Sequence, residues 1–248
     1  MPSPASELPY DVFASVYDHF FGPAALPATL QALGPLLLDQ LAPGSRILDL
    51  CCGTGELTHA LTQHGFTVHG IDSSAEMLRL ARARVPRAIF RQADMRNFAS
   101  PERYQAVICA YNSLPHITSL QELVRVCANV GRVLYAGGVF MFDVYSEQAY
   151  AERWRGSFTR HDDNFSCRVT PSYNTRTRLG ENHISITANH TLQAEVRLVT
   201  RCYSRAELQF ALFSAGFCSV KAFDAGRDLH LAQASGRVFW KAANFDRQ

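Results

Sequence analysis

Beyond residue 46 the chain alternates short apolar runs with segments whose apolar positions fall at helical spacing. The runs cover residues 46–52, 66–72, 89–94, 104–111 and 138–145, and several are apolar at successive positions, as in Ile47-Leu48, Val107-Ile108 and Val139-Phe140-Met141-Phe142. Strands covered on both faces read this way, so the pattern predicts a parallel sheet between layers of helices. Ser73…Glu76, Ser119…Glu122 and Ser204…Glu207 each have the spacing of a capping box, in which serine and glutamate take free amides at a helix start. After the second of these, Leu120, Leu123, Val124, Cys127 and Val130 hold one apolar helical face. Gly65 and Gly216 follow helical stretches, where a left-handed cap is needed.

Two stretches break the alternation. Residues 1–43 carry Tyr10, Phe13, Tyr17, Phe20 and Phe21, then a leucine-rich helical stretch that ends before Pro43-Gly44. Residues 146–203 read as alternating β runs such as 182–188 and 193–203. A helix at 204–215 and strands near 219–224 and 237–242 close the chain. The expected fold class is α/β: a Rossmann-like, seven-stranded, mostly parallel sheet with helices on both faces, a β-rich insert after the fifth strand and an N-terminal helical lid. The corresponding division is a lid at 1–43, a core at 44–145, an insert at 146–203 that covers the site, and a completion of the core at 204–248.

Composition narrows the function classes. With 248 residues, 47% hydrophobic and 19% charged, the chain can bury a sizeable core. A formal charge of +2 is too small to point to nucleic acid or a membrane surface. Seven cysteines, an odd number without a C-x-x-C pair, argue for free thiols in a reducing compartment and against a structural zinc or other metal site. The first seven residues lack the charged and apolar stretches of a signal peptide, and no apolar run nears the roughly 18 residues of a membrane span, so a cytoplasmic protein is expected.

The chemistry centres on Ile47-Leu48-Asp49-Leu50-Cys51-Cys52-Gly53-Thr54-Gly55, where a strand ends and a helix opens. Gly53 and Gly55 let the backbone approach a ligand. The third glycine of a dinucleotide loop is replaced by Thr58, and the Asp49 carboxylate would repel a pyrophosphate; it suits the ammonium of a zwitterionic amino acid better. Asp72 ends the second strand, where a carboxylate accepts from the two hydroxyls of a ribose. Asp94 and Met95 end the third, placed for an adenine amino group and its ring.

These strand ends resemble those of class I S-adenosylmethionine-dependent methyltransferases: the glycine loop LDLCCGTG, the acidic end GID, Asp-Met after the third strand, and the fourth-strand segment VICAYNSLPHI. Cys51-Cys52 depart from the small residues usual before the glycines, and cysteine is small enough to fit. The segment Tyr10–Asp18 looks like the entry segment of a small-molecule subgroup, in which the resemblance implies that Tyr17 and Tyr10 reach the methionine carboxylate of the cofactor. Cys51, Ser73, Met77, Ala110 and Tyr111 complete the candidate cofactor set with Asp49, Gly53, Gly55, Asp72, Asp94 and Met95. The stretch Asn112-Ser113-Leu114-Pro115-His116 resembles that of nucleotide-linked amino-sugar N-methyltransferases, where such a histidine lies near the transferred methyl.

His116 is therefore the expected catalytic base, kept neutral by the start of the helix at Ser119; ordering of the turn is its other reading. Of the insert arginines Arg153, Arg155, Arg160, Arg168, Arg176, Arg178, Arg197 and Arg201, some are candidates for a phosphate or carboxylate on the acceptor and most read as a solvated β face. The function expected is methyl transfer from S-adenosyl-L-methionine to N or O of a small molecule by a monomer or homodimer, without nucleic acid or membrane. The alternatives are an RNA or protein methyltransferase, or a protein of this fold that binds the cofactor without transfer.

Overall fold

The computed structural model describes residues 8–163, 165–188 and 191–244; residues 1–7, on which the signal-peptide reading rested, lie outside them. In chain order the elements are α1 (Pro9–Phe20), α2 (Gly22–Leu36), β1 (Arg46–Leu50), α3 (Glu56–Gln63), β2 (Thr67–Asp72), α4 (Ala75–Arg84), β3 (Ile89–Gln92), β4 (Tyr104–Cys109), α5 (Leu120–Val133) and β5 (Leu134–Tyr145). They continue with α6 (Glu147–Arg153), β6 (Phe158–His161), β7 (Phe165–Asn174), β8 (Leu179–Ala188), β9 (Thr191–Arg201), α7 (Arg205–Ser214), β10 (Phe217–Asp224) and β11 (Arg237–Asn244).

Seven strands form one sheet in the order β10-β11-β5-β4-β1-β2-β3. β1 to β5 pair in parallel, whereas β11 pairs antiparallel with both β5 and β10. The contiguous apolar runs are explained by burial on both faces: Val107, Phe140 and Phe142 pack into one cluster with α5 and α7, while Ile47, Ile108 and Met141 pack into another with α2 and α3.

The helix starts follow the sequence with one shift. α7 carries the full capping box, Glu207 taking the Ser204 amide at 2.8 Å and Ser204 the Glu207 amide at 3.2 Å. α5 is capped by Ser119. α4 is capped by Ser74, which takes the Met77 amide at 3.1 Å, and not by Ser73. The reason is Asp72, whose Oδ1 accepts the Ser74 amide at 2.9 Å and draws the helix start one residue on.

The insert after β5 folds as a separate four-stranded antiparallel sheet, β6-β7-β8-β9. Its inner face does not rest on the large sheet. It closes over α1, whose Phe13 and Val16 are buried with Cys167, Val169, Ile184, Ile186, Val196 and Leu198. Burying each such side chain contributes about 1.5–3 kcal/mol. The partly exposed His19–Asp162 pair at the rim, 2.7 Å apart, belongs to a class of contacts worth about 0–1 kcal/mol. Apolar packing therefore seats α1 between the sheets. On its other side Asp11 accepts the Ser74 hydroxyl at 2.6 Å and the Glu76 amide at 3.2 Å, which sets the carboxylate against the N-terminus of α4. No single helix among the described residues is long and apolar enough to cross a membrane.

Candidate active site

The strand order reverses at β1, with β2 and β3 on one side and β4 and β5 on the other, and open α/β sheets bind ligands beyond the strand ends at such a point. The loop after β1 turns through three left-handed residues, Cys51, Gly53 and Gly55, with φ of 61°, 54° and 82°. A Cβ on Gly55 would stand 3.1 Å from the Ala81 backbone, so this glycine serves the packing of the loop on α4. A Cβ on Gly53 would instead project towards Tyr17 and Met77, at 3.8 and 3.9 Å, in the mouth of a cavity.

That cavity, about 240 Å³, is walled by Cys51, Gly53, Asp72, Ser73 and Met77 on the core side and by Tyr10, Tyr17 and Leu198 on the side of α1 and the insert. Asp72 is held by the Gly53 amide on Oδ2 and the Ser74 amide on Oδ1, both at 2.9 Å, which leaves further lone pairs on each oxygen for a ligand. Burial raises its pKa and those amides oppose the rise. A second cavity of about 180 Å³, lined by Asp94 and Met95, shares Cys51, Ser73, Met95 and His116 with the first. Both Asp94 oxygens are engaged by the neighbouring Arg96, a partner the sequence reading did not provide, and this pair holds the carboxyl below its usual range.

Three expected cofactor residues do not reach either wall. Asp49 is buried and accepts the Thr58 hydroxyl at 2.7 Å; burial pushes its pKa up to about 7, against the pull of that hydrogen bond. Gly55 caps α3, and Ala110 is packed beneath the β4 end.

A larger cavity of about 590 Å³ opens on the other side of α1. Tyr10, Phe13, Tyr17 and Phe21 line it with Tyr145, Trp154 and Phe158, and Arg153, Arg160, Asn112, Asn182 and Thr200 are among its polar residues; among the described residues no Asp or Glu is in its wall. The large and the 240 Å³ cavities have Tyr10, Tyr17, Tyr111, His116 and Leu198 in common. The two chambers thus meet across a partition of three phenols, one imidazole and one leucine.

His116 does not stand at the start of α5. It ends a single 3-10 turn, Leu114–His116, and burial, opposed by the Val199 carbonyl, pushes its pKa down to about 4. Its Nδ1 lies 3.0 Å from the Val199 carbonyl oxygen, so the ring proton resides there and Nε2 accepts the Tyr10 hydroxyl at 2.9 Å. Both ring nitrogens thus have partners, and burial rather than the start of α5 keeps the ring neutral.

The chemistry of the cradle fits S-adenosylmethionine. A glycine opens its mouth, a carboxylate waits at the second strand, and the buried Tyr111 hydroxyl in its wall has no partner among the described residues. The sequence reading missed the walls of the larger cavity at Trp154, Phe158 and Leu198 and the buried pair Asp143–Arg237, because none carries a local motif.

A family model described as a methyltransferase domain matches residues 47–138. A Bacillus subtilis relative bearing the name of a methyltransferase is 35% identical over 162 residues, 63% of this chain and 64% of that protein, so the match spans just under two thirds of the relative. The dTDP-3-amino-3,4,6-trideoxy-alpha-D-glucopyranose N,N-dimethyltransferase of Streptomyces venezuelae is 29% identical over 215 residues, covering 82% of this chain and 89% of its own. Among solved structures, the CcbJ methyltransferase of Streptomyces caelestis shares the fold with a TM-score of 0.79 at 20% identity, over 97% of this chain and 99% of the other. Loop, strand ends, topology and relatives agree: residues 47–138 carry a methyltransferase domain, set in a fold shared with Rossmann-like S-adenosylmethionine-dependent methyltransferases.

Proposed function

We propose that the protein transfers a methyl group from S-adenosylmethionine to the amino nitrogen of a small acceptor, an amino sugar carried on a nucleotide. The observation that carries this reading is the meeting of the two chambers across Tyr10, Tyr17, Tyr111, His116 and Leu198. The core-side chamber has the groups for the cofactor, with Asp72 for the ribose, Met95 and Asp94 for the adenine, and Tyr10 and Tyr17 near the amino-acid end. The larger chamber falls within the roughly 300–1,000 Å³ of small-molecule sites. A macromolecular acceptor would require a groove or a basic path, and this chamber lies between α1 and the insert. The Streptomyces venezuelae relative, named for a dTDP-linked amino sugar, supports the acceptor class.

When bound, S-adenosylmethionine supplies a methyl on a positively charged sulfur, activated for in-line displacement. The protein's work is then alignment and exclusion of water. With a pKa near 4 and its lone pair on the Tyr10 hydroxyl, His116 is a weak base for stripping a sugar hydroxyl. An amine needs no such base once it is neutral. An aromatic wall without a carboxylate disfavours the ammonium form, so the chamber selects the nucleophilic one. His116 fixes the Tyr10 hydroxyl, whose oxygen lone pairs remain free to accept from the acceptor N–H and point its lone pair at the methyl. Arg153 and Arg160 are the groups for the anionic part of the acceptor.

The test is release of S-adenosylhomocysteine with a dTDP-linked 3-amino sugar, the same sugar without the amino group, and the free amino sugar. Turnover with the first and none with the second is expected. Equal turnover with the deaminated sugar would overturn the amine assignment.

A further inference from the structure

Tyr111 and Asn112, which follow β4, both have left-handed backbones, with φ of 63° and 57°. Two successive non-glycine residues in this region persist only where their surroundings impose it. The group that imposes it is Asp143 on β5, 1% exposed, whose Oδ1 accepts the Tyr111 amide at 2.7 Å and whose Oδ2 accepts the Asn112 amide at 3.2 Å. Asn112 closes the turn from the other side, its Oδ1 taking the Tyr145 amide at 3.1 Å. Arg237 on β11 meets the same carboxylate at two points, Nη2 to Oδ1 at 2.9 Å and Nε to Oδ2 at 3.0 Å. Both of its Nη atoms also donate to the Thr29 hydroxyl on α2 at 3.1 Å, and that hydroxyl donates to the Ala25 carbonyl.

We propose that Asp143, held by Arg237, is a positioning residue for methyl transfer: its carboxylate forces the left-handed Tyr111–Asn112 turn and so fixes the Tyr111 ring in the partition between the two chambers. The proposal rests on the reading of those chambers given above. A carboxylate presents two acceptor oxygens to two adjacent amides, which asparagine cannot do, since its amide nitrogen would face one of them. Arg237 forms a planar fork that matches the carboxylate and fixes its plane. A buried ion pair of this kind gives little net stability over apolar residues of the same volume. Its distinctive product here is the shape of the turn. Tyr111 Oη is a buried hydroxyl without a partner among the described residues, and Tyr111 lies on the wall of both chambers.

The test compares Asp143→Asn with the double variant Asp143→Asn/Asn112→Gly, because glycine adopts a positive φ without the help of a carboxylate. The readouts are Tm, affinity for S-adenosylhomocysteine by calorimetry, and the single-turnover rate with a dTDP-linked 3-amino sugar. Asp143→Asn should lower Tm, weaken S-adenosylhomocysteine and cut the rate at least about tenfold. The added glycine should restore affinity and rate several-fold while Tm stays low. If Asp143→Asn does not fold, Arg237→Lys, which keeps the charge and loses the fork, is paired with the same glycine and should show the same split. Wild-type rate and affinity in the single variant, or rate and affinity that follow Tm with no recovery from glycine, overturns the proposal. A wild type that binds S-adenosylhomocysteine yet leaves the sugar unmethylated breaks the acceptor reading alone, and the affinity series still decides on Asp143. A wild type that binds no S-adenosylhomocysteine overturns the proposal together with the cofactor reading.

Discussion

The two chambers are built from different materials. The cofactor side is made of strand ends and backbone close in sequence: the loop at 51–55, Asp72 held by the Gly53 and Ser74 amides, and Met95 after β3. The acceptor side is made of side chains scattered from Tyr10 to Thr200, projecting from α1, β5, α6 and the insert sheet. Backbone amides and a left-handed loop tolerate few substitutions. A wall of side chains on an antiparallel sheet changes one residue at a time without disturbing its ladder. On the proposed reading the molecule pairs a fixed cofactor cradle with an adjustable acceptor wall, and α1 lines both chambers.

The largest effect should come from filling the cradle. Gly53→Val places a branched side chain at a φ of 54°, pointing at Tyr17 and Met77, and is expected to abolish S-adenosylmethionine binding in calorimetry. Normal binding in this variant would remove the loop from the cofactor site. Asp72→Ala comes next. Hydrogen bonds to a charged acceptor are worth about 1.5–3 kcal/mol each, so affinity should fall at least about tenfold while the fold persists. The Gly53 and Ser74 amides also lose their acceptor, so a thermal melt must accompany the titration to separate the two losses.

His116 offers a pH-dependent test of the partition. Its folded pKa, pushed down to about 4, lies below the ordinary histidine value of about 6.5, so the unfolded chain binds more protons between these values. Stability contributed by the neutral ring is present above about pH 6.5 and is lost as pH falls towards 4. His116→Gln should flatten this part of the stability profile and leave S-adenosylmethionine affinity nearly intact. A profile with the same slope in the variant would assign the dependence to other groups. The smallest effect is expected on the acceptor wall. Arg160→Ala should raise the acceptor KM a few-fold at unchanged cofactor affinity, in steady-state assays with the dTDP-linked amino sugar. A fall in kcat without a change in KM would place Arg160 outside the acceptor site.

The contrast between the chambers also explains what could be read from the sequence. The core strands declare themselves because Ile47-Leu48 or Val139–Phe142 must be apolar on both faces. Gly53 and Asp72 belong to short contiguous signatures. The shift of the α4 cap from Ser73 to Ser74 was not legible, since it depends on where the Asp72 carboxylate turns in space. β7 was obscured by Pro171, which argues against a strand. Its tolerance becomes clear from the pairing, in which β6 begins with Phe158 opposite Val169 and does not reach Pro171, which pairs only with Asn182 of β8. The two partners of His116, Tyr10 and Val199, were not legible because they stand 106 and 83 residues away. Asp143 and Arg237, 94 residues apart, meet only through the β5–β11 pairing.

Hydrogen exchange followed by mass spectrometry, with the two ligands added in turn, tests the division of labour most directly. S-adenosylhomocysteine alone should slow exchange at residues 51–56, 72–77 and along α1, and leave residues 154–160 at their free rate. Adding a dTDP-linked 3-amino sugar should then slow 154–160, where Trp154, Phe158 and Arg160 line only the acceptor chamber. Protection of 154–160 by S-adenosylhomocysteine alone, or none at 51–56, would contradict a cofactor cradle and an acceptor wall that meet only at the partition.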